Sequence, residues 1–180
     1  MSSYTYKLSD PTADYQDAVN LLYATKDELR LPDRATCRKV IDLCFEKGGI
    51  TLGYDGSTTC ALGGFFFGDP NEDFRDSAVG FLYVAAILPE YRLTRAFYGG
   101  LQFSLKALKQ QGVQEVRMQA ELSNPYTNRL YSRFAKPLGE GKSLRGHPVM
   151  TYGNEIDQAL AYFNRRRPGT RPTVSAVATT

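Results

Sequence analysis

The residues with the clearest potential for chemistry lie in one short stretch, residues 89–100, which reads PEYRLTRAFYGG. Arg92, Thr94 and Arg95 stand between a long apolar run and a predicted helix. Arginine side chains bind phosphate through charge-assisted hydrogen bonds, and the N-terminus of a helix also favours negative charge. The stretch is therefore a candidate functional turn.

Candidate proton acceptors are scattered along the chain. The acidic ones are Glu72, Asp73, Asp76 and Glu121, and solvation at the surface explains each of them equally simply. Tyr83 could order a water, although core packing also explains it. The single histidine, His147, is accompanied by no Ser or Cys nucleophile pattern, which favours a structural role.

The cysteines show no metal-binding pattern. Cys37, Cys44 and Cys60 form no CxxC pair, and the chain has only one histidine. Zinc sites need four closely placed ligands, so we expect no metal site and interpret the cysteines as buried, reduced thiols of a cytosolic protein.

Composition indicates one soluble domain with a basic tail. A length of 180 residues suffices for one core, and we expect a domain over 1–163 followed by a tail over 164–180. No apolar run approaches the ~18 residues of a membrane span, and no secretory signal is recognisable. Four arginines follow the last acid, Asp157, so any attraction to acidic partners is expected in the tail. The tail lacks interleaved aromatic residues, which argues against sequence-specific nucleic-acid binding.

Hydrophobic periodicity and turn residues predict an alternation of strands and helices. Strands are predicted over 3–8, 50–54, 58–67, 78–88, 113–122 and 145–152. Helices are predicted over 13–29, from a cap at Asp33 to Lys47, and over 95–111, 124–134 and 156–163. The run over 78–88 is almost wholly apolar, as expected of a central strand buried on both faces.

This order of elements and three local motifs resemble the GNAT acyltransferases. Residues 84–92 (VAAILPEYR) resemble the fourth strand of that fold with its typical ending. The distance from Arg92 to Gly112-Val113 matches the family's helix, and residues 124–131 (NPYTNRLY) resemble its Asn-x6-Tyr element. The resemblance covers roughly 3–152. It implies an α/β (α+β) fold with a mixed, mostly antiparallel sheet of about six to seven strands, flanked by helices on both faces.

The resemblance also implies an activity, the transfer of an acetyl group from acetyl-CoA to an amine. Tyr131 would protonate the departing thiolate. The cofactor-binding positions that the resemblance implies are Ala85, Ala86 and Ile87 for pantetheine, Arg92, Thr94 and Arg95 for phosphate, and Asn124. Two of these residues have simpler explanations: Tyr131 as a packing tyrosine, and Asn124 as a helix cap before Pro125.

The phosphate loop departs from the family pattern. Arg95 and Phe97 occupy positions where small residues let phosphate approach the backbone, and Leu93 stands where glycine is frequent. Gly99 and Gly100 lie one turn into the helix instead, where they permit close packing against the sheet. The loop therefore does not by itself predict CoA binding.

Three functions follow. The first is a cytoplasmic acetyl-CoA-dependent N-acetyltransferase. The second is a catalytically degenerate GNAT-fold structural or interaction protein, for example a phage virion component that docks or self-assembles through residues 164–180. The third is a regulator that binds CoA without transferring its acyl group.

Overall fold

The fold is described from a computed structural model over residues 3–92 and 94–165. Within these ranges the strands are β1 (Tyr4–Leu8), β2 (Gly48–Asp55), β3 (Thr58–Phe67), β4 (Val79–Ile87), β5 (Glu115–Glu121), β6 (Lys136–Lys142) and β7 (Pro148–Glu155). The α-helices are α1 (Tyr15–Ala24), α2 (Arg34–Lys47), α3 (Ala96–Gln110), α4 (Pro125–Tyr131) and α5 (Ile156–Arg165). Residues 166–180, which include most of the predicted tail, lie outside the described residues.

The strands form one mixed sheet in the order β1-β2-β3-β4-β5-β7-β6. Only β4 and β5 pair in parallel, and every other neighbouring pair in the described sheet is antiparallel. Helices α1 and α2 cover one face, and α3 and α5 cover the other. The predicted fold class, with its mostly antiparallel sheet and helices on both faces, is confirmed.

Local signals explain where several elements begin and end. The Asp33 carboxylate accepts the Thr36 backbone N–H at 2.7 Å and caps α2 as predicted. Gly56 has φ +60°, which suits the tight turn between β2 and β3. Helix α1 is shorter than predicted: it ends at Ala24, where the Thr25 hydroxyl donates to the Leu21 carbonyl.

The strand β6 was missed by the sequence analysis. Its sequence, KPLGEGK, contains two glycines and a proline, and all seven residues are exposed. It pairs with β7 alone at the edge of the sheet, with a register shift between Pro137 and Gly139. An exposed edge strand has no buried face, so it lacks the apolar alternation by which strands are recognised.

The pairing of β4 with β5 stops halfway along both strands. It runs from Val79↔Glu115 to Leu82↔Met118, and among the described residues no pair follows. Beyond that point β4 stays paired with β3, up to Ile87, and β5 stays paired with β7, up to Glu121. A register shift against β3 leaves Tyr83 as an extra residue, a β-bulge that bends β4 where the two strands diverge.

Helix α3 lies close to β1 because of glycine. A Cβ atom on Gly99 would lie 2.3 Å from the Tyr6 hydroxyl oxygen, which is held by donating to the Ala96 carbonyl at 3.0 Å. A Cβ on Gly100 would lie 3.4 Å from the same ring, an ordinary contact. The expectation that these glycines permit close packing against the sheet is confirmed for Gly99.

The two glycines should therefore respond oppositely to alanine. Gly100→Ala should raise the free energy of unfolding by up to ~1 kcal/mol, because alanine is the better helix former. Gly99→Ala should lower it by about 1–3 kcal/mol, because the new methyl displaces Tyr6. Urea unfolding of both variants measures the difference. Equal stabilisation by both substitutions would contradict the close contact.

A membrane-spanning helix and a cluster of metal ligands are both absent from residues 3–92 and 94–165. Within them, none of the helices combines the length and hydrophobicity that crossing a bilayer requires. Likewise, no three histidine, cysteine or acidic side chains there converge as metal ligands. Cys37, Cys44 and Cys60 are buried free thiols, which confirms their predicted state.

Candidate active site

A cleft opens where β4 and β5 separate. It is partly open to solvent. The predicted pantetheine residues Ala85, Ala86 and Ile87 line it, and so does the predicted acid Tyr131. The edge of β4 that faces the cleft has no strand partner beyond Leu82 in the described sheet. Its backbone N–H and C=O groups are thus available to an extended ligand.

Tyr131 is the last residue of α4, and its ring packs edge-on against Phe134 and Tyr152 with centroid distances of 6.0 Å. Its hydroxyl has no hydrogen-bond partner within residues 3–92 and 94–165. Burial raises the pKa of Tyr131 to about 12. The hydroxyl is protonated at neutral pH, as it would also be at the ordinary tyrosine pKa, and the raised pKa makes it a weaker acid.

Asn124 acts as the cap of α4. Its carboxamide oxygen accepts the Thr127 backbone N–H at 3.1 Å. Asn128, which the sequence analysis did not single out, fixes the helix to the sheet instead: its side chain donates to the Glu121 carbonyl and accepts the Tyr152 hydroxyl, both at 2.8 Å. Asn128 thereby positions the helix that carries the candidate acid.

The turn between β4 and α3 carries the predicted phosphate residues. The Thr94 hydroxyl donates to the Tyr91 carbonyl at 2.6 Å and accepts the Ala96 backbone N–H at 3.2 Å, so it closes the turn internally. The Arg95 side chain is exposed. The Arg92 guanidinium forms an ion pair with Glu28, from the connection between α1 and α2. A phosphate at this turn would have to compete with Glu28 for Arg92.

Phe97 lies in the first turn of α3 and lines the cleft without filling it. Its ring is half-buried and packs edge-on against Tyr98 at 5.5 Å. The backbone N–H groups of Thr94 and Ala96 are already bonded within the turn. The close backbone capture of phosphate that small residues allow is thus reduced here.

A group of interacting polar residues was not predicted from the sequence. His147 Nδ1 lies 2.7 Å from one oxygen of Glu121, and Arg30 lies 3.1 Å from the other. Arg145 adds two hydrogen bonds to the backbone of the α1–α2 connection, one of them to the Leu29 carbonyl at 2.6 Å. These residues tie that connection to the ends of β5 and of the β6–β7 hairpin.

The same contacts make Glu121 a weak base. The hydrogen bond with His147 and the charge of Arg30 hold the pKa of Glu121 below its usual range. Neither Glu121 nor His147 lines the cleft. We therefore interpret the group as a structural tie, which agrees with the surface and structural roles expected of these residues.

The chain overlays on solved acetyltransferase structures at low identity. An N-acetyltransferase from Staphylococcus aureus has 11% identity and a TM-score of 0.63 over 86% of this chain and 99% of its own. The ribosomal-protein-S18-alanine N-acetyltransferase from Escherichia coli has 13% identity and a TM-score of 0.62 over 86% and 94%. A Bacillus subtilis acetyltransferase in complex with CoA has 11% identity and a TM-score of 0.63 over 85% and 99%.

The chain has the GNAT fold. No family model matches its sequence, and no curated protein sequence matches it. The resemblance named from residues 84–92 and 124–131 is therefore confirmed by three-dimensional structure, at an identity where sequence comparison finds nothing. At this identity the likeness establishes the GNAT fold alone.

The pKa of Glu121 predicts a pH-dependent contribution to stability. Because its folded-state pKa is lowered, ionised Glu121 stabilises the GNAT fold above its ordinary pKa, and this contribution is lost as the pH falls through the folded-state value. Glu121→Gln should lower the free energy of unfolding by about 1 kcal/mol at pH 7 and by less at pH 3. Urea unfolding at both pH values, with Glu140→Gln on the exposed β6 as control, measures this. A difference independent of pH would contradict it.

Proposed function

We propose that the protein is an N-acyltransferase that moves an acetyl group from acetyl-CoA to an amine. One observation carries the proposal. The protonated Tyr131 hydroxyl and the unpaired edge of β4 meet in a single cleft at the divergence of two parallel strands. A neighbouring structure of the same fold contains CoA, and another is named for acetylating an alanine amine.

The two parts of the proposed site fit acetyl-CoA to different degrees. The half of the cleft for pantetheine and the thioester fits, because it is open, apolar and bordered by free backbone groups. At the turn before α3, Arg92 and Arg95 supply positive charge, but fewer backbone N–H groups are free. We infer that side chains carry more of the phosphate binding here than backbone does.

The role that we propose for each residue follows from its position in the structure. Acetyl-CoA supplies a thioester, whose acyl carbon bonds to the amine nitrogen while its sulfur leaves as a thiolate. Residues Ala85–Ile87 orient the pantetheine arm by backbone hydrogen bonds, Arg92, Thr94 and Arg95 hold phosphate, and Asn124 shapes the site by starting α4. Tyr131 donates its proton to the departing sulfur, the amine nitrogen releases one proton to solvent as the amide forms, and Tyr131 regains a proton from solvent. Direct transfer needs no nucleophilic side chain on the enzyme.

Removing the Tyr131 hydroxyl should slow transfer without preventing binding. Tyr131→Phe should lower kcat by roughly 10²- to 10⁴-fold, because general acid catalysis contributes about that much, while the Kd of acetyl-CoA stays unchanged. Tyr126→Phe is the matched control, since Tyr126 lies on the same helix and is 72% exposed. Steady-state kinetics with a panel of amines and calorimetry measure both values. Equal kcat for the two variants would exclude the acid role.

The ion pair at the turn gives a second test. Glu28→Gln should free Arg92 and strengthen acetyl-CoA binding by up to about fivefold at low salt, because exposed ion pairs contribute up to ~1 kcal/mol. The gain should shrink as salt screens the pair. Asp27→Asn is the control, because Asp27 pairs with Lys26 instead. Weaker binding by Glu28→Gln would show that Arg92 does not hold phosphate.

A second candidate is a non-catalytic GNAT-fold interaction protein, for example a virion component. The engaged Arg92 and the occupied N–H groups of the turn favour it. It predicts no calorimetric signal with millimolar acetyl-CoA and a defined oligomer or complex that depends on residues 164–180. Light scattering of the full chain and of a chain ending at residue 163 separates it from the enzyme.

A further inference from the structure

Helix α5 runs antiparallel to α3 and ends beside the first turns of that helix. Near the start of α5, the Asp157 carboxylate pairs with the Lys109 ammonium at 2.5 Å. Near its end, the Asn164 carboxamide oxygen accepts a hydrogen bond from the Gln102 side chain at 2.6 Å. Asn164 follows Asp157 in α5, whereas Gln102 precedes Lys109 in α3. The C-terminus of α5 therefore points towards the N-terminus of α3.

The last turn of α5 packs against both helices that border the cleft. The Phe163 ring contacts Tyr98, in the first turn of α3, with 6.3 Å between ring centroids. It also contacts Phe134, shortly after α4, at 4.9 Å. Phe97 and Tyr131, which line the cleft, belong to the same first turn of α3 and to the end of α4. The chain thus leaves α5 near the cleft and near the turn that would hold phosphate.

The three helices around this point carry basic residues with no acid beside them. Helices α3 and α4 contain no Asp or Glu, and the only acid of α5 is Asp157, at the far end of that helix. Arg95 at the start of α3, Arg129 in α4 and Arg165 at the end of α5 are all exposed. An excess of positive charge on neighbouring elements attracts anions. Phosphate is therefore a class of ligand that this region suits.

The run of arginines continues past the end of α5. Two more, Arg166 and Arg167, follow its last residue in sequence and lie outside the described residues. The part of α3 from Ala96 to Gln102, where Asn164 makes its contact, is about 10 Å long at 1.5 Å per residue. An extended chain covers that distance in about three residues. Arg167 follows Asn164 by that many residues, so the run is long enough to reach the turn before α3.

We propose that the arginine run, residues 165–167, binds the phosphate groups in the nucleotide half of acetyl-CoA. This inference rests on the proposed function, because it concerns the same cofactor. The turn before α3 offers little phosphate binding of its own, since Arg92 pairs with Glu28 and the backbone N–H groups of Thr94 and Ala96 are already bonded. Arginine side chains bind phosphate through charge-assisted hydrogen bonds, which need no close approach to the backbone. The run thus supplies the binding that the bulky turn lacks.

Calorimetry of acetyl-CoA binding to the full chain tests the proposal. The triple variant Arg165→Gln/Arg166→Gln/Arg167→Gln should raise the Kd about tenfold at low salt, because exposed contacts between opposite charges are lost. The difference from the unaltered chain should shrink as salt screens these contacts.

A second triple variant, Arg38→Gln/Lys39→Gln/Arg75→Gln, is the matched control. It removes the same formal charge from exposed residues of α2 and of the connection between β3 and β4. Helix α2 covers the face of the sheet opposite to α3 and α5. The control should therefore bind acetyl-CoA as the unaltered chain does, and an equal loss in both variants would show an effect of net charge alone and overturn the proposal.

A ligand without the nucleotide identifies the part of the cofactor that the run binds. S-acetyl-pantetheine should have the same Kd for the unaltered chain and for the 165–167 variant, since it carries none of the phosphate groups. A loss of affinity as large as that for acetyl-CoA would place the effect elsewhere in the site and overturn the proposal.

The outcomes separate this proposal from the function on which it rests. An unchanged or lower Kd of acetyl-CoA in the 165–167 variant overturns the arginine site and leaves the acetyltransferase proposal intact. Binding that depends on the run, without acetylation of any amine in the panel, overturns the acetyltransferase proposal and supports the arginine site. Absence of acetyl-CoA binding to the unaltered chain overturns both.

Discussion

The separation of β4 from β5 is the constraint on which the rest of the structure depends. Each strand keeps its outer neighbour, β3 or β7, while in the described sheet the two inner edges are not paired with each other beyond Leu82 and Met118. Backbone groups on such edges need water or a ligand as partner. The gap therefore stays open while the sheet around it remains continuous. Helices α3 and α4 bring Phe97 and Tyr131 to its walls because they directly follow the two diverging strands.

The connection between α1 and α2 is held over the ends of these strands by arginines. Arg145 donates to its backbone, Glu28 of the connection pairs with Arg92, and Arg30 pairs with Glu121. Each exposed ion pair alone contributes little. Three attachments to three different segments nevertheless define one position for the connection. The turn that would hold phosphate and the end of β5 thus share a common support.

The fold was predictable from the sequence to the extent that its signals are local. The apolar run over 78–88, the turn at Gly56 and the cap at Asp33 each depend on neighbouring residues, and all three elements are present as predicted. Strand β6 was missed because both of its faces are exposed. The pair of Glu121 with His147 joins residues 26 positions apart. No local pattern reports such a contact, since it arises only when the sheet forms.

The small residues lie where the packing of the fold needs them, and not where close approach of a cofactor phosphate would need them. Positions that the family keeps small for phosphate are Arg95 and Phe97 here, whereas Gly99 and Gly100 face the sheet one turn later. Bulk before α3 removes space beside a phosphate, whereas the absence of bulk within α3 lets the Tyr6 ring of β1 pack directly against the helix. Because backbone capture of phosphate needs close approach, the bulky residues weaken the charged end of the cleft. The small residues of α3 serve the packing of that helix on the sheet instead.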